Sequence, residues 1–109
     1  MTPKVDTNCT AFQTAIDVLG RPWTAVILNV LQDGPLRFCQ IGDRAPGLGD
    51  KVLSARLKEL EGRGLLVRSV RPGPPVKVAY ELTDQGRGFN KVAQTIHRWG
   101  QELEAAEKC

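Results

Sequence analysis

The sequence predicts a mainly helical α+β fold: a winged helix-turn-helix with additional N- and C-terminal helices for dimerisation, in one domain over residues 1–109. Three observations lead there. Apolar residues recur at helical spacing in four separate stretches, with a shorter fifth helix between them. Two β-rich runs flank a proline-stiffened loop near residue 73. Glycine and proline punctuate every junction, leaving no room for a second domain or a linker.

The first stripe is Phe12, Ala15, Ile16 and Leu19, and it stops at Gly20-Arg21-Pro22. A second stripe follows in Trp23, Val26, Ile27, Val30 and Leu31, with Pro22 at or just before its start. Gly34-Pro35 closes that helix, and residues 36–38 suit a single short strand. Residues 39–44 read as a helix of one to two turns, stopped by Pro46-Gly47. Asp50 is then a suitable N-cap for a helix over residues 50–61, held inward by Leu53, Leu57 and Leu60. Gly64 suits the left-handed residue that would fold Leu65 back onto Leu60. Strands are expected over residues 65–71 and 76–82, with Val78, Tyr80 and Leu82 on one face. Thr83 is the expected N-cap of one long final helix whose stripe is Phe89, Val92, Ala93, Ile96, Trp99, Leu103 and Ala106.

Composition narrows the function. The apolar share is 41% and the charged share 25%, as in soluble globular proteins. No apolar run reaches the roughly 18–20 residues needed to cross a bilayer. Residues 1–6 lack the apolar stretch of a secretory signal, so a cytoplasmic location with no membrane partner is expected. Three cysteines, Cys9, Cys39 and Cys109, form no CxxC pair, and the single histidine, His97, leaves no zinc-ligand spacing. No metal and no cofactor is expected. His97 would also have to serve any cysteine nucleophile as its base, and its place on the long helix suits a surface or interface role instead. With no phosphate loop and no paired-carboxylate motif, the chain is not expected to be an enzyme.

The net charge of +3 is unevenly placed. Residues 36–77 hold nine Lys and Arg against four Asp and Glu, whereas the two flanking segments are each slightly acidic. A basic middle between neutral ends suits double-stranded DNA. On the helix over residues 50–61, Lys51, Ser54, Ala55 and Lys58 point away from the leucines, where small residues admit base edges and lysines reach bases or phosphates. Arg56 lies on the flank, placed to clamp a phosphate or pair with a neighbouring carboxylate. Arg71 and Lys77 bracket Pro72-Gly73-Pro74-Pro75, and Arg37 is a further phosphate candidate.

The stripe of the last helix is longer than a compact core can cover, and the first helix offers a matching one. Pairing Phe12, Ile16, Leu19, Phe89, Val92, Ile96, Trp99 and Leu103 with a second copy would hide both. A homodimer would also present two recognition helices to a palindromic operator.

Taken in order, these residues resemble a known family. Trp23-Thr24, Gly34-Pro35-Leu36-Arg37-Phe38, the run from Lys51-Val52-Leu53-Ser54-Ala55-Arg56 through Leu57-Lys58-Glu59-Leu60-Glu61, then Gly64-Leu65-Leu66-Val67-Arg68, are similar to the HxlR-type regulators, the DUF24 group of MarR-like proteins. Pro75-Val76-Lys77-Val78-Ala79-Tyr80-Glu81-Leu82-Thr83-Asp84-Gln85-Gly86 and the late Trp99 extend the likeness over residues 9–103. The resemblance implies a dimeric transcription regulator, often responsive to oxidants or electrophiles. It also implies a sensing role for Cys9, just before the first helix, with Cys109 of the partner available for a disulfide. Thr10 stands where the family usually has proline after that cysteine. Cys39 replaces a residue usually polar in the family and is expected to be a small, partly buried hydrophobe. An inert Cys9, a regulator with a non-redox small-molecule effector, and a winged-helix module that binds only protein remain the alternatives.

Overall fold

In the computed structural model, which describes residues 10–107, the recognition helix is built on a single leucine-rich core. The chain runs α1 (Thr10–Leu19), α2 (Thr24–Val30), a 3-10 turn (Leu31–Asp33), β1 (Leu36–Arg37), α3 (Phe38–Arg44), α4 (Asp50–Gly62), β2 (Leu66–Arg71), β3 (Lys77–Leu82), α5 (Asp84–Arg87) and α6 (Phe89–Glu107). The element order is the expected one, with two refinements described below.

On α2 the expected stripe is turned by one position. Ile27, Leu28 and Leu31 are buried with Thr24, which is the i, i+3, i+4, i+7 pattern of a short amphipathic helix. Val26 is 40% exposed. The threonine at the head of the true stripe disguises it. Trp23 is not the first helical residue but the left-handed one before it, at φ 70°, and its indole lies against Gly47 in the turn between α3 and α4. A bulky residue in that region carries backbone strain that the packing must offset. Trp23 thereby ties the entry of α2 to the helix-turn-helix corner.

At α4, Asp50 is the first helical residue and Gly49 the N-cap, so the expected side-chain cap is absent. Asp50 still places a carboxylate at the positive end of the helix. The C-terminus follows expectation. Gly64 adopts φ +77°, Leu65 N–H donates to the Leu60 carbonyl at 3.0 Å, and Gly64 N–H donates to that of Glu61 at 3.0 Å. Both bonds satisfy carbonyls that the helix end would otherwise leave unpaired.

The three strands form an antiparallel sheet in the order β1-β3-β2, with Leu36 opposite Tyr80 and Arg68 opposite Tyr80 on the other side. Thr83 caps α5, its hydroxyl accepting from Gly86 N–H at 3.3 Å, while its own hydroxyl donates to the Gly64 carbonyl at 2.7 Å. The expected single final helix is therefore two, α5 and α6, parted at Gly88. Phe89 opens α6 and is only 9% exposed, packed in the chain's own core. From Phe89 onward α6 runs about 28 Å at 1.5 Å per residue, and the molecule extends 55 Å along its longest axis. No described helix is long and apolar enough to cross a membrane.

Candidate nucleic-acid interface

Burial of Leu53, Leu57 and Leu60 fixes which side of α4 faces out. Lys51, Ala55 and Lys58 are exposed, and Ser54 is half-buried at the edge nearest the sheet. The surface predicted from the helical period is thus presented intact. Arg37 is exposed at the start of α3, where its backbone N–H donates to Gln40 Oε1 at 2.8 Å.

Arg71 and Lys77 are brought together more closely than their spacing suggested, because they stand directly opposite in the β2–β3 register. Like charges across a ladder disfavour pairing unless an anion offsets them. Neither makes an ion pair among the described residues. By strand alternation they occupy the ribbon face opposite Leu66 and Leu82, beside the loop over residues 72–76.

Arg56 takes the second of its two expected roles, pairing with a neighbouring carboxylate, and not the phosphate clamp. Its side chain is 11% exposed, Nε donates to the Pro22 carbonyl at 2.9 Å, and a terminal nitrogen lies 3.2 Å from Glu59 Oε1. Arg21 meets the same carboxylate oxygen at 2.9 Å. These bonds occupy the guanidinium inside the chain, so Arg56 holds the α1–α2 turn onto α4. Arg56→Ala is expected to lower unfolding free energy by about 2 kcal/mol, read as a shifted urea midpoint, because it removes two hydrogen bonds made by a charged, largely buried side chain.

The hydrogen bond from Arg21, with the charges of Arg21 and Arg56, holds the Glu59 carboxyl below the usual carboxylate range against a smaller opposing effect of burial. A depressed folded-state value means the stabilisation is complete above the ordinary carboxylate range and is lost as pH falls through the lowered one. Glu59→Gln is expected to flatten the acid limb of the stability–pH curve and leave the alkaline limb alone. An unchanged acid limb would contradict the assignment.

Cys9 and Cys109 lie outside the described residues. Cys39, expected to be partly buried, is exposed on α3. Of the proposed dimer set, Phe89 is withdrawn because it is occupied in the core, and Leu19 and Phe12 are half-buried. Ile16, Val92, Ile96, Trp99 and Leu103 are bare, Trp99 at 61% exposure.

Sequence reasoning missed Arg68. It shares the inward face of β2 with buried Leu66 and lines a recess of about 340 Å³ with Ser54, Leu57, Lys58, Glu61 and Tyr80. The signal was available as an arginine at the apolar phase of the alternation Leu66, Arg68, Val70.

An outward basic helix following a short helix and turn, beside a basic two-stranded ribbon, defines a winged helix-turn-helix protein. The family model described as HxlR-like helix-turn-helix matches residues 18–108, and the chain belongs to that family of transcriptional regulators. It is 39% identical over 98 residues to the HTH-type transcriptional regulator YodB of Bacillus subtilis (strain 168), covering 90% of this chain and 88% of that one. The reduced form of YodB superposes with a TM-score of 0.79 at 39% identity, over 86% of this chain and 92% of that one. YodB is also solved after diamide treatment and with quinone bound. The redox regulator HypR in its reduced form gives a TM-score of 0.82 at 27% identity, over 91% of this chain and 98% of that one.

Proposed function

We propose that the chain binds a palindromic operator as a homodimer, presenting Ser54 and Ala55 to base edges, with Lys51 and Lys58 reaching bases or phosphates and Arg37, Arg71 and Lys77 gripping phosphates. The observation that supports it most is the conjunction of an exposed basic face on α4 with two unpaired cations at the ribbon end.

The bare residues Val92, Ile96, Trp99 and Leu103 recur at spacings of four, three and four along α6. That is the a/d seam of a helix pair, and with Ile16 of α1 it supports pairing of two copies through their terminal helices. Analytical ultracentrifugation at micromolar concentration is expected to give a dimer. A monomer would remove the twofold operator from the reading.

Cys9 is the proposed sensor, with Cys109 of the second copy as a disulfide partner. Support comes from the diamide-treated and quinone-bound structures of YodB and the reduced and oxidised forms of HypR, and from the sequence position of Cys9, where the resemblance puts the sensing cysteine. The exposed Cys39 thiol must be silenced in any test. In a Cys39→Ser background, diamide is expected to change operator affinity when Cys9 is present and to have no effect when Cys9 is also serine. Equal responses would discard Cys9. A non-redox effector is the second reading, favoured by a groove of about 420 Å³ between α2 and α6. There Asn29, Asn90 and His97 stand around apolar Val26, Phe89 and Ile96.

Gel shift against the chain's own upstream DNA tests the whole proposal. Retention of a specific duplex over competitor is expected. Capture of protein partners with no duplex retained would favour an interaction module.

A further inference from the structure

We propose that the recess between α4 and the β2–β3 ribbon is a seat for one phosphate of the DNA strand that separates the two grooves, with Arg68 as its principal cation. The proposal rests on the DNA-binding reading and adds a contact to it. If α4 lies in a major groove while the ribbon end reaches the neighbouring minor groove, one sugar–phosphate strand must pass between them. The space it crosses is this recess, bounded by Ser54, Leu57, Lys58 and Glu61 of α4 and by Arg68 and Tyr80 of the sheet.

Arg68 occupies the register position opposite Tyr80, on the face that buries Leu66 and Leu82. An apolar side chain is the usual occupant of that phase. Here the core ends and a guanidinium lines an open cleft instead. Among the described residues, Ser54, Lys58, Glu61, Arg68 and Tyr80 make no side-chain hydrogen bond or ion pair with one another, although a carboxylate and two cations share the space. Two cations against one carboxylate leave the recess net positive, and the hydroxyls of Ser54 and Tyr80 add neutral donors. Guanidinium and phosphate match in bidentate geometry, which a lysine at residue 68 would not reproduce. Glu61 opposes the anion and restrains binding to every duplex alike.

The test uses a duplex recovered from random sequence by selection on the full chain. It is then remade with a single uncharged methylphosphonate at each backbone position in turn. Arg68→Met is expected to lower affinity about tenfold and to reduce the log–log salt slope by about 0.9, the signature of one lost phosphate contact. Arg68→Lys should restore the slope and only part of the affinity, and Glu61→Gln should raise affinity for any duplex. One methylphosphonate per half-site, between the two groove contacts, should weaken wild type tenfold and leave Arg68→Met unaffected. Additive losses, or an Arg68→Met chain with wild-type thermal midpoint and wild-type affinity, overturn the seat. If Lys51→Ala weakens binding in that case, the DNA reading stands without it. A chain that selects no duplex overturns both.

Discussion

Gly86→Ala is expected to destabilise the protein by about 3 kcal/mol, enough to leave much of a marginal domain unfolded at 37 °C. The added methyl would collide with the Leu65 carbonyl oxygen and sit 3.0 Å from Leu82 Cδ2. That carbonyl cannot retreat cheaply, because it accepts the Thr83 N–H at 3.0 Å where the ribbon turns into α5. Gly86 itself is buried, and its carbonyl accepts from Gln32 Nε2 at 3.1 Å. One residue thus joins the base of the ribbon, the 3-10 turn and the start of the terminal helices. Gly42→Ala is the control. An added Cβ there meets nothing within 4 Å, and the lost glycine flexibility should stabilise by up to about 1 kcal/mol. Equal urea midpoints for Gly86→Ala and wild type would contradict the packing described.

The second large effect is on DNA. Lys51→Ala combined with Arg71→Ala is expected to weaken binding to all duplexes by roughly a hundredfold at moderate salt. The log–log salt slope should fall by roughly two, about one per phosphate contact. The two side chains lie on different elements and share no partner in the structure, so their effects should add. Because neither contributes to the core, thermal midpoints should stay within about 4 °C of wild type. A salt slope unchanged in the double variant would take both residues off the interface. Fluorescence anisotropy at several salt concentrations reads both quantities.

Much of this was legible before the structure, because the strongest signals are local. The leucines of α4 fix its outward face through the helical period alone, and Gly64 fixes where that helix ends. What local pattern could not show was where tertiary packing overrides it. The stripe of α2 begins at a threonine, so the apolar pattern alone points to Val26 where the core takes Leu28. Arg56 reads as a surface cation until the α1–α2 turn is folded back and supplies the Pro22 carbonyl. Phe89 belongs to the same amphipathic stripe as Trp99, and only the approach of α2 to α6 decides that one is core and the other bare. Thr83 reads as a cap from sequence and is one, but the helix it caps is a separate four-residue piece that ends before Gly88. Arg68 needed the strand register, which places it toward α4.

Hydroxyl-radical footprinting on the selected duplex tests the central claim most directly. Two copies of the α4 face, related by a twofold axis, should protect two patches on one side of the DNA. Their centres should lie about 34–36 Å, one helical turn, apart or a multiple of it, each flanked by minor-groove protection from a ribbon. A single unpaired patch, protection on opposite sides of the helix, or no protection at all would contradict it.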